Sequence, residues 1–242
     1  MAIHADRYSL AALRLLETEL SRMAALVENQ LQAAISAFER RDIAAAESLI
    51  ENDHRIDLYD RDIEMRAVAL LTGQALPVEA VREVTTLMKL SGELERVGDL
   101  AKNVAKRTLV ISREASTSPI LGVVRMGRAS LRQFADILNA YATRNVDAAI
   151  AVWSGDDELD ELYNSVFQEI LFAMMEDPMR VNACTHLVFM AKNFERVGDH
   201  ATNIAEAIHF LVNGELIMET RPKGDETSTT RVAPPETSTG SA

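Results

Sequence analysis

Glu95-Arg96-Val97-Gly98-Asp99 recurs 100 positions later as Glu195-Arg196-Val197-Gly198-Asp199. The match runs on through Ala101/Ala201, Asn103/Asn203 and Ala105/Ala205. Eight of the eleven positions from 95 to 105 are therefore identical, which argues for duplication over chance. A weaker echo lies upstream. Asp53-His-Arg-Ile-Asp57 parallels Asp156-Asp-Glu-Leu-Asp160 at an offset of 103, and Pro77 parallels Pro178. A period near 100 is that of duplicated domains, longer than the roughly 20–50 residues of a solenoid.

The apolar spacing around these motifs is helical. Leu13, Leu16, Leu20, Met23, Val27, Leu31, Ala34 and Phe38 step by three or four and lay one stripe along a helix. No stretch sustains the period-two alternation of a strand. The spacing predicts a first helix over about Tyr8–Arg40. Asp42 is read as the N-cap of a second, about Ile43–Thr72, stopped by Gly73. Pro77 opens a third, about Val78–Ser112, and Ser116–Pro119 reads as a connection. The second half repeats the plan with helices over about Leu121–Thr143, Val146–Met175 and Pro178–Val212, ending near Gly214. Such rods must bury their stripes on one another. The fold class is all-α: two tandem three-helix bundles related by a pseudo-twofold axis, residues 1–116 and 117–215. Residues 216–242 form a disordered tail, which from Arg221 onward is Pro, Gly, Ser, Thr and Glu with few apolar residues.

Composition limits the function classes. The 242 residues carry 25 Lys+Arg against 37 Asp+Glu, a formal net charge of −12, which argues against a broad nucleic-acid footprint. One cysteine, Cys184, rules out an intrachain disulfide framework and suits a reducing compartment; its apolar helical setting reads as structural. No apolar run approaches the roughly 18–20 residues of a membrane span, and no signal pattern opens the chain. The expectation is a cytoplasmic protein.

The repeated residues are mostly acids. Glu95/Asp99 and Glu195/Asp199 stand four apart on the third helices, and Asp53/Asp57 and Asp156/Asp160 four apart on the second. Pairs at that spacing share a helix face and repel by a few tenths of a kcal/mol. Solvent, a lysine or arginine, or a metal ion must offset this. Carboxylates are hard oxygen ligands that suit Mg²⁺, Ca²⁺, Mn²⁺ or oxidised iron. The second copy is the more acidic, because Thr202 stands where the first has Lys102 and Glu206 where it has Lys106. Gly98 and Gly198 cost about 1 kcal/mol each inside a helix, which close helix packing or the approach of a ligand would explain. His200 reads as a solvated histidine and His209 as a core or interface one. Glu51-x-x-His54 and Glu206-x-x-His209 match the half-motif of di-iron carboxylate bundle enzymes, the alternative function, although they do not fall at matching places in the two copies. No nucleophile constellation, dinucleotide fingerprint or P-loop is present.

The doubled E-R-V-G-D-x-A-x-N, the Asp-x-x-x-Asp upstream of it and Met174-Met-Glu-Asp-Pro178 resemble the PhoU family of bacterial phosphate-specific transport system accessory proteins, over about Tyr8–Gly214. The resemblance implies a non-enzymatic cytoplasmic adaptor. It implies a negative regulator of the phosphate-starvation (Pho) response, linking the ATPase subunit of the phosphate ABC transporter to a sensor histidine kinase and modulating phosphate uptake. It implies metal sites, divalent or iron, at Asp53, Asp57, Glu95 and Asp99 and at Asp156, Asp160, Glu195 and Asp199. Two like acidic faces would serve two partners or a homodimer.

Overall fold

The computed structural model describes residues 2–73, 75–114, 120–219, 224 and 227. The expected first stripe is the inner face of a 39-residue rod, α1 (Ala2–Arg40). All eight stripe residues, from Leu13 to Phe38, are buried. Each of these side chains except Ala34 contributes about 1.5–3 kcal/mol through removal from water, so tertiary burial, more than helix propensity, holds a rod this long.

Both copies leave their first helix by the same joint. Arg41 (φ 54°) and Arg144 (φ 48°) sit in the left-handed region, which costs a non-glycine residue about 1 kcal/mol or more. The next residue then caps a new helix. Asp42 accepts from the Ala45 N–H and Asn145 from the Ala148 N–H, each at 3.0 Å, opening α2 (Ile43–Asn52) and α6 (Val146–Ser154).

The second helix of each copy is broken, where the sequence predicts unbroken rods over 43–72 and 146–175. The chain resumes as α3 (His54–Gly73) and α7 (Asp157–Glu176). No proline marks either break. Asp53 and Asp156 keep right-handed dihedrals, and the backbone only tightens, with Ile56 N–H donating to Asp53 O at 2.9 Å and Leu159 N–H to Asp156 O at 3.1 Å. The cause is side-chain chemistry: each aspartate turns inward to a glutamine of the preceding long helix.

α4 (Val78–Ile111) completes the first bundle. α5 (Ile120–Ala142), α6–α7 and α8 (Val181–Asn213) form the second. A 3₁₀ turn, Pro178–Arg180, leads into α8, and Gly214 (φ 77°) closes it by donating to Phe210 O. α1 lies along α5 and α4 along α8. Both pairings are antiparallel. Glu39 reaches Arg128 and Glu17 reaches Arg144, while Glu93 reaches His200 and Arg107 reaches His186. Each helix therefore lies against its own counterpart in the opposite sense, as a twofold rotation requires.

One hydrophobic core runs through both bundles. The Phe194 ring of α8 fills the space left by Gly127 of α5 beside Ile35 of α1; a Cβ at 127 would lie 2.9 Å from Phe194 Cζ. No strand occurs among the described residues. The connection expected at Ser116–Pro119 and most of the expected tail lie outside the described residues. No described helix is long and apolar enough to cross a membrane.

Candidate functional site

The inward aspartates define the deepest layer. Asp53 and Asp156 are each 2% exposed. Gln30 Nε2 donates to Asp53 Oδ1 at 2.8 Å, and Gln133 Nε2 to Asp156 Oδ1 at 2.9 Å. The two glutamines are 103 positions apart, the same offset as the aspartates, a repeat that sequence reading passed over. The glycines of the doubled motif make room for this layer. A Cβ at Gly98 would lie 2.8 Å from Ile56 Cδ1; one at Gly198 would lie 2.6 Å from Leu159 Cδ2 and 2.8 Å from Asp156 Oδ1. Of the two explanations for the glycines, close helix packing is the one realised.

Outside that layer lie the other acids. In the first copy Glu95 faces Asp99, Asp60 and Asp57; burial first, and then these three charges, push its carboxyl above the usual range. Asp60 belongs to this group although its spacing did not flag it, and it accepts from Ser91 Oγ at 2.6 Å. In the second copy Glu195 faces Asp199 and Asp160. Burial raises its carboxyl to about 7; the Lys192 hydrogen bond works against that rise and Asp199 and Asp160 add to it. Glu195 Oε1 meets Lys192 Nζ at 2.9 Å, while Glu195 Oε2 is buried with no hydrogen-bond partner.

The sequence places these acids on outer helix faces. Instead Asp160 and Glu195 join Asp53 and Asp156 as buried residues, at 3% and 6% exposure, with Asp57, Glu95 and Asp199 half-buried and Asp99 alone of the eight exposed. Asp160 and Glu195 lie on α7 and α8, which pack against each other, and Asp53 and Asp156 lie at the helix breaks.

Each copy carries a lysine ammonium, from a different position. Lys102 bonds Asp53 and lies 3.4 Å from Asp99 Oδ1, and those bonds raise its own pKa. In the second copy Thr202 occupies that place, and Lys192, where the first copy has Gly92, supplies the charge from beside Tyr163. Among the described residues, no three Asp, Glu, His or Cys side chains converge as a ready metal centre.

His200 is buried in the seam between the bundles, contrary to the solvated role expected. Its Nδ1 lies 2.7 Å from Glu93 Oε2, and Asn203 Nδ2 donates to the same oxygen at 3.1 Å. Burial raises Glu93, but the bonds from His200 and Asn203 outweigh it and hold the carboxyl below its ordinary value. The di-iron half-motifs do not converge. Glu51 and His54 are exposed, Glu206 takes the Trp153 indole N–H at 3.4 Å, and His209 Nδ1 meets Glu215 O at 2.9 Å.

The PhoU domain pattern matches residues 20–108 and again 123–208. The chain belongs to the PhoU family. A relative from Caulobacter vibrioides (strain NA1000 / CB15N), named phosphate-specific transport system accessory protein PhoU homolog, is 43% identical over 211 residues, 87% of this chain and 92% of that protein. A Rhizobium meliloti (strain 1021) relative of the same name is 36% identical over 218 residues, 90% of this chain and 92% of its own length. The crystal structure of PhoU from Pseudomonas aeruginosa superposes with a TM-score of 0.82 at 30% identity, covering 85% of this chain and 99% of that one. The phosphate transport system regulatory protein PhoU from Streptococcus pneumoniae gives 0.79 at 27% identity, covering 86% and 99%. The relatives are named as transport accessory proteins and not as enzymes. Both PhoU matches end before Gly214.

Proposed function

We propose that this protein is an accessory regulator of the phosphate transport system. It acts in the cytoplasm as an adaptor between the ATPase subunit of the phosphate ABC transporter and a sensor histidine kinase, and restrains the phosphate-starvation response when phosphate is plentiful. Family membership supports the system. The observation that carries the adaptor reading is the pair of matching acidic faces, one per copy, on a scaffold stiffened by a shared core. Two like faces let one molecule engage two partners, or a second copy of itself.

The acids fit a hard cation. An orphaned, buried Glu195 Oε2 and a carboxyl lifted to about 7 mark negative charge crowded beyond what Lys192 relieves. Glu195, Asp199 and Asp160 in the second copy, and Glu95, Asp99 and Asp57, with Asp60, in the first, would hold the ion only once their side chains draw together, because no three of them converge in this structure. Asp53 and Asp156 serve from within, fixing the helix break through Gln30 and Gln133. A bound divalent or iron cation supplies positive charge, and so changes how each face attracts a partner. The test is affinity capture from detergent-solubilised membranes with the full chain as bait. Recovery of a phosphate-transporter ATPase or a sensor kinase supports the adaptor; recovery of neither contradicts it.

A further inference from the structure

A groove of about 700 Å³ lies between α5 and the α6–α7 pair of the second copy. At the matching place in the first copy, beside Arg55 and Tyr59, the depression is about 280 Å³. Divergence between the copies accounts for the difference. At the offset of 103, Leu26, Leu49, Asn52 and Tyr59 correspond to Ala129, Val152, Gly155 and Leu162. Leu26, Leu49 and Tyr59 pack against the core and take up that space; the four smaller residues line the groove.

The charge on its rim has diverged as well. Arg125 and Arg132 of α5 line the groove, both are exposed, and neither meets a carboxylate within ion-pair distance among the described residues. Their counterparts are Arg22, held by Glu19 at 2.9 Å, and Asn29. Gly122 stands in the second copy where the first has Glu19. A chain of net charge −12 thus keeps two guanidiniums without ion-pair partners on one wall, seven residues or about 10.5 Å apart along α5. Asp136, one turn beyond Arg132, and Glu158 of α7 are the acids of the lining. Buried Leu159 lies beneath, beside Leu162 and Val152.

Guanidiniums two turns apart do not converge on one small ligand. A charged rim over an apolar floor suits a helix laid along α5, whose own positions i and i+7 recur at the same spacing. We propose that this groove docks an acidic amphipathic helix of a partner protein. Its apolar side chains rest on Val152, Leu159 and Leu162, and two carboxylates seven residues apart meet Arg125 and Arg132. A base four residues beyond the second acid meets Asp136 and fixes the direction of the helix. None of Asp160, Glu195 and Asp199 lines the groove, so this surface is separate from the second acidic face and its failure leaves that reading untouched.

Selection on the full chain from a phage-displayed library of 18-residue helices, randomised at polar and apolar positions, tests this. The expected winners carry an apolar stripe edged by two acids seven residues apart. Their affinity should fall about fivefold in Arg125→Gln/Arg132→Gln, and about tenfold or more in Ala129→Leu/Leu162→Tyr, which restores the first copy's residues. The charge variant alters exposed side chains only, so it decides the matter if the filled variant does not fold. A selection without winners, winners lacking the acid pair, or equal affinity for the wild type and the charge variant overturns the proposal. So does sedimentation that shows a dimer which the charge variant abolishes, because the groove would then belong to a second copy of this chain.

Discussion

Glu195 concentrates the chemistry of the second copy in one carboxyl. It is 6% exposed, faces Asp199 and Asp160, and meets one ammonium with one oxygen while the other has no partner. Its pKa rises from an ordinary 4.5 to about 7 in the folded chain. An acid raised on folding favours the folded state while protonated, and that contribution is lost as pH climbs from its unfolded value through its folded one. Metal-free protein should therefore lose stability between about pH 4.5 and 7 from this group, on the order of 3 kcal/mol at most. Glu195→Gln should flatten that slope and be more stable than the wild type at pH 8, but not at pH 4. Urea unfolding at the two pH values checks it, and a variant with the wild-type slope would contradict the assignment. The identity of this residue was legible in the sequence because the motif occurs twice. Its burial was not, because i,i+4 spacing says which face two acids share and not what lies over that face.

At the scale of elements, the break in the second helices and the seam between α4 and α8 were the features hardest to read. No proline or turn signature announces Asp53, and residues 43–72 have helical periodicity throughout. The break is set by a tertiary hydrogen bond from Gln30, 23 positions away, which local propensity cannot register. The eight-residue stripe of α1, by contrast, was fully legible, because burial follows period directly. The seam carries a carboxylate–imidazole contact that only one end of the pseudo-twofold possesses. Glu93 meets His200 at 2.7 Å, whereas their counterparts are Asn193 and Leu100. His200→Leu leaves the buried Glu93 carboxyl with Asn203 but without the imidazole and should cost about 1.5–3 kcal/mol. Adding Glu93→Asn copies the other end of the seam and should restore most of that loss. Chemical unfolding of the two single variants and the double variant gives the coupling energy, and additive effects would mean the two groups do not interact. Because the Glu93 carboxyl is held below its ordinary value, its contribution is present above its unfolded pKa and fades as pH falls through the folded one.

The whole molecule is a doubled domain whose halves have diverged at matched positions. The joints at Arg41 and Arg144, the glutamine–aspartate pairs and the glycines are kept in both copies. The lysines are not: Lys102 serves the first face and Lys192 the second. Among the described residues, Gly224 meets the second. A shared core prevents the bundles from moving as separate bodies without exposing Phe194 and its neighbours, so the two faces present a fixed geometry to whatever they bind. Duplication and fold class were readable because identical residues recur at a constant offset; the inequality of the faces depends on side chains arriving from other helices. The most direct measurement is calorimetric titration of the purified phosphate-transporter ATPase subunit with the full chain and with its Glu195→Gln/Asp199→Asn variant. Saturable binding by the wild type, weakened at least tenfold in the variant, is the predicted result. No binding by the wild type, or equal binding by both, would contradict the claim that this acidic face is where the protein meets its partner.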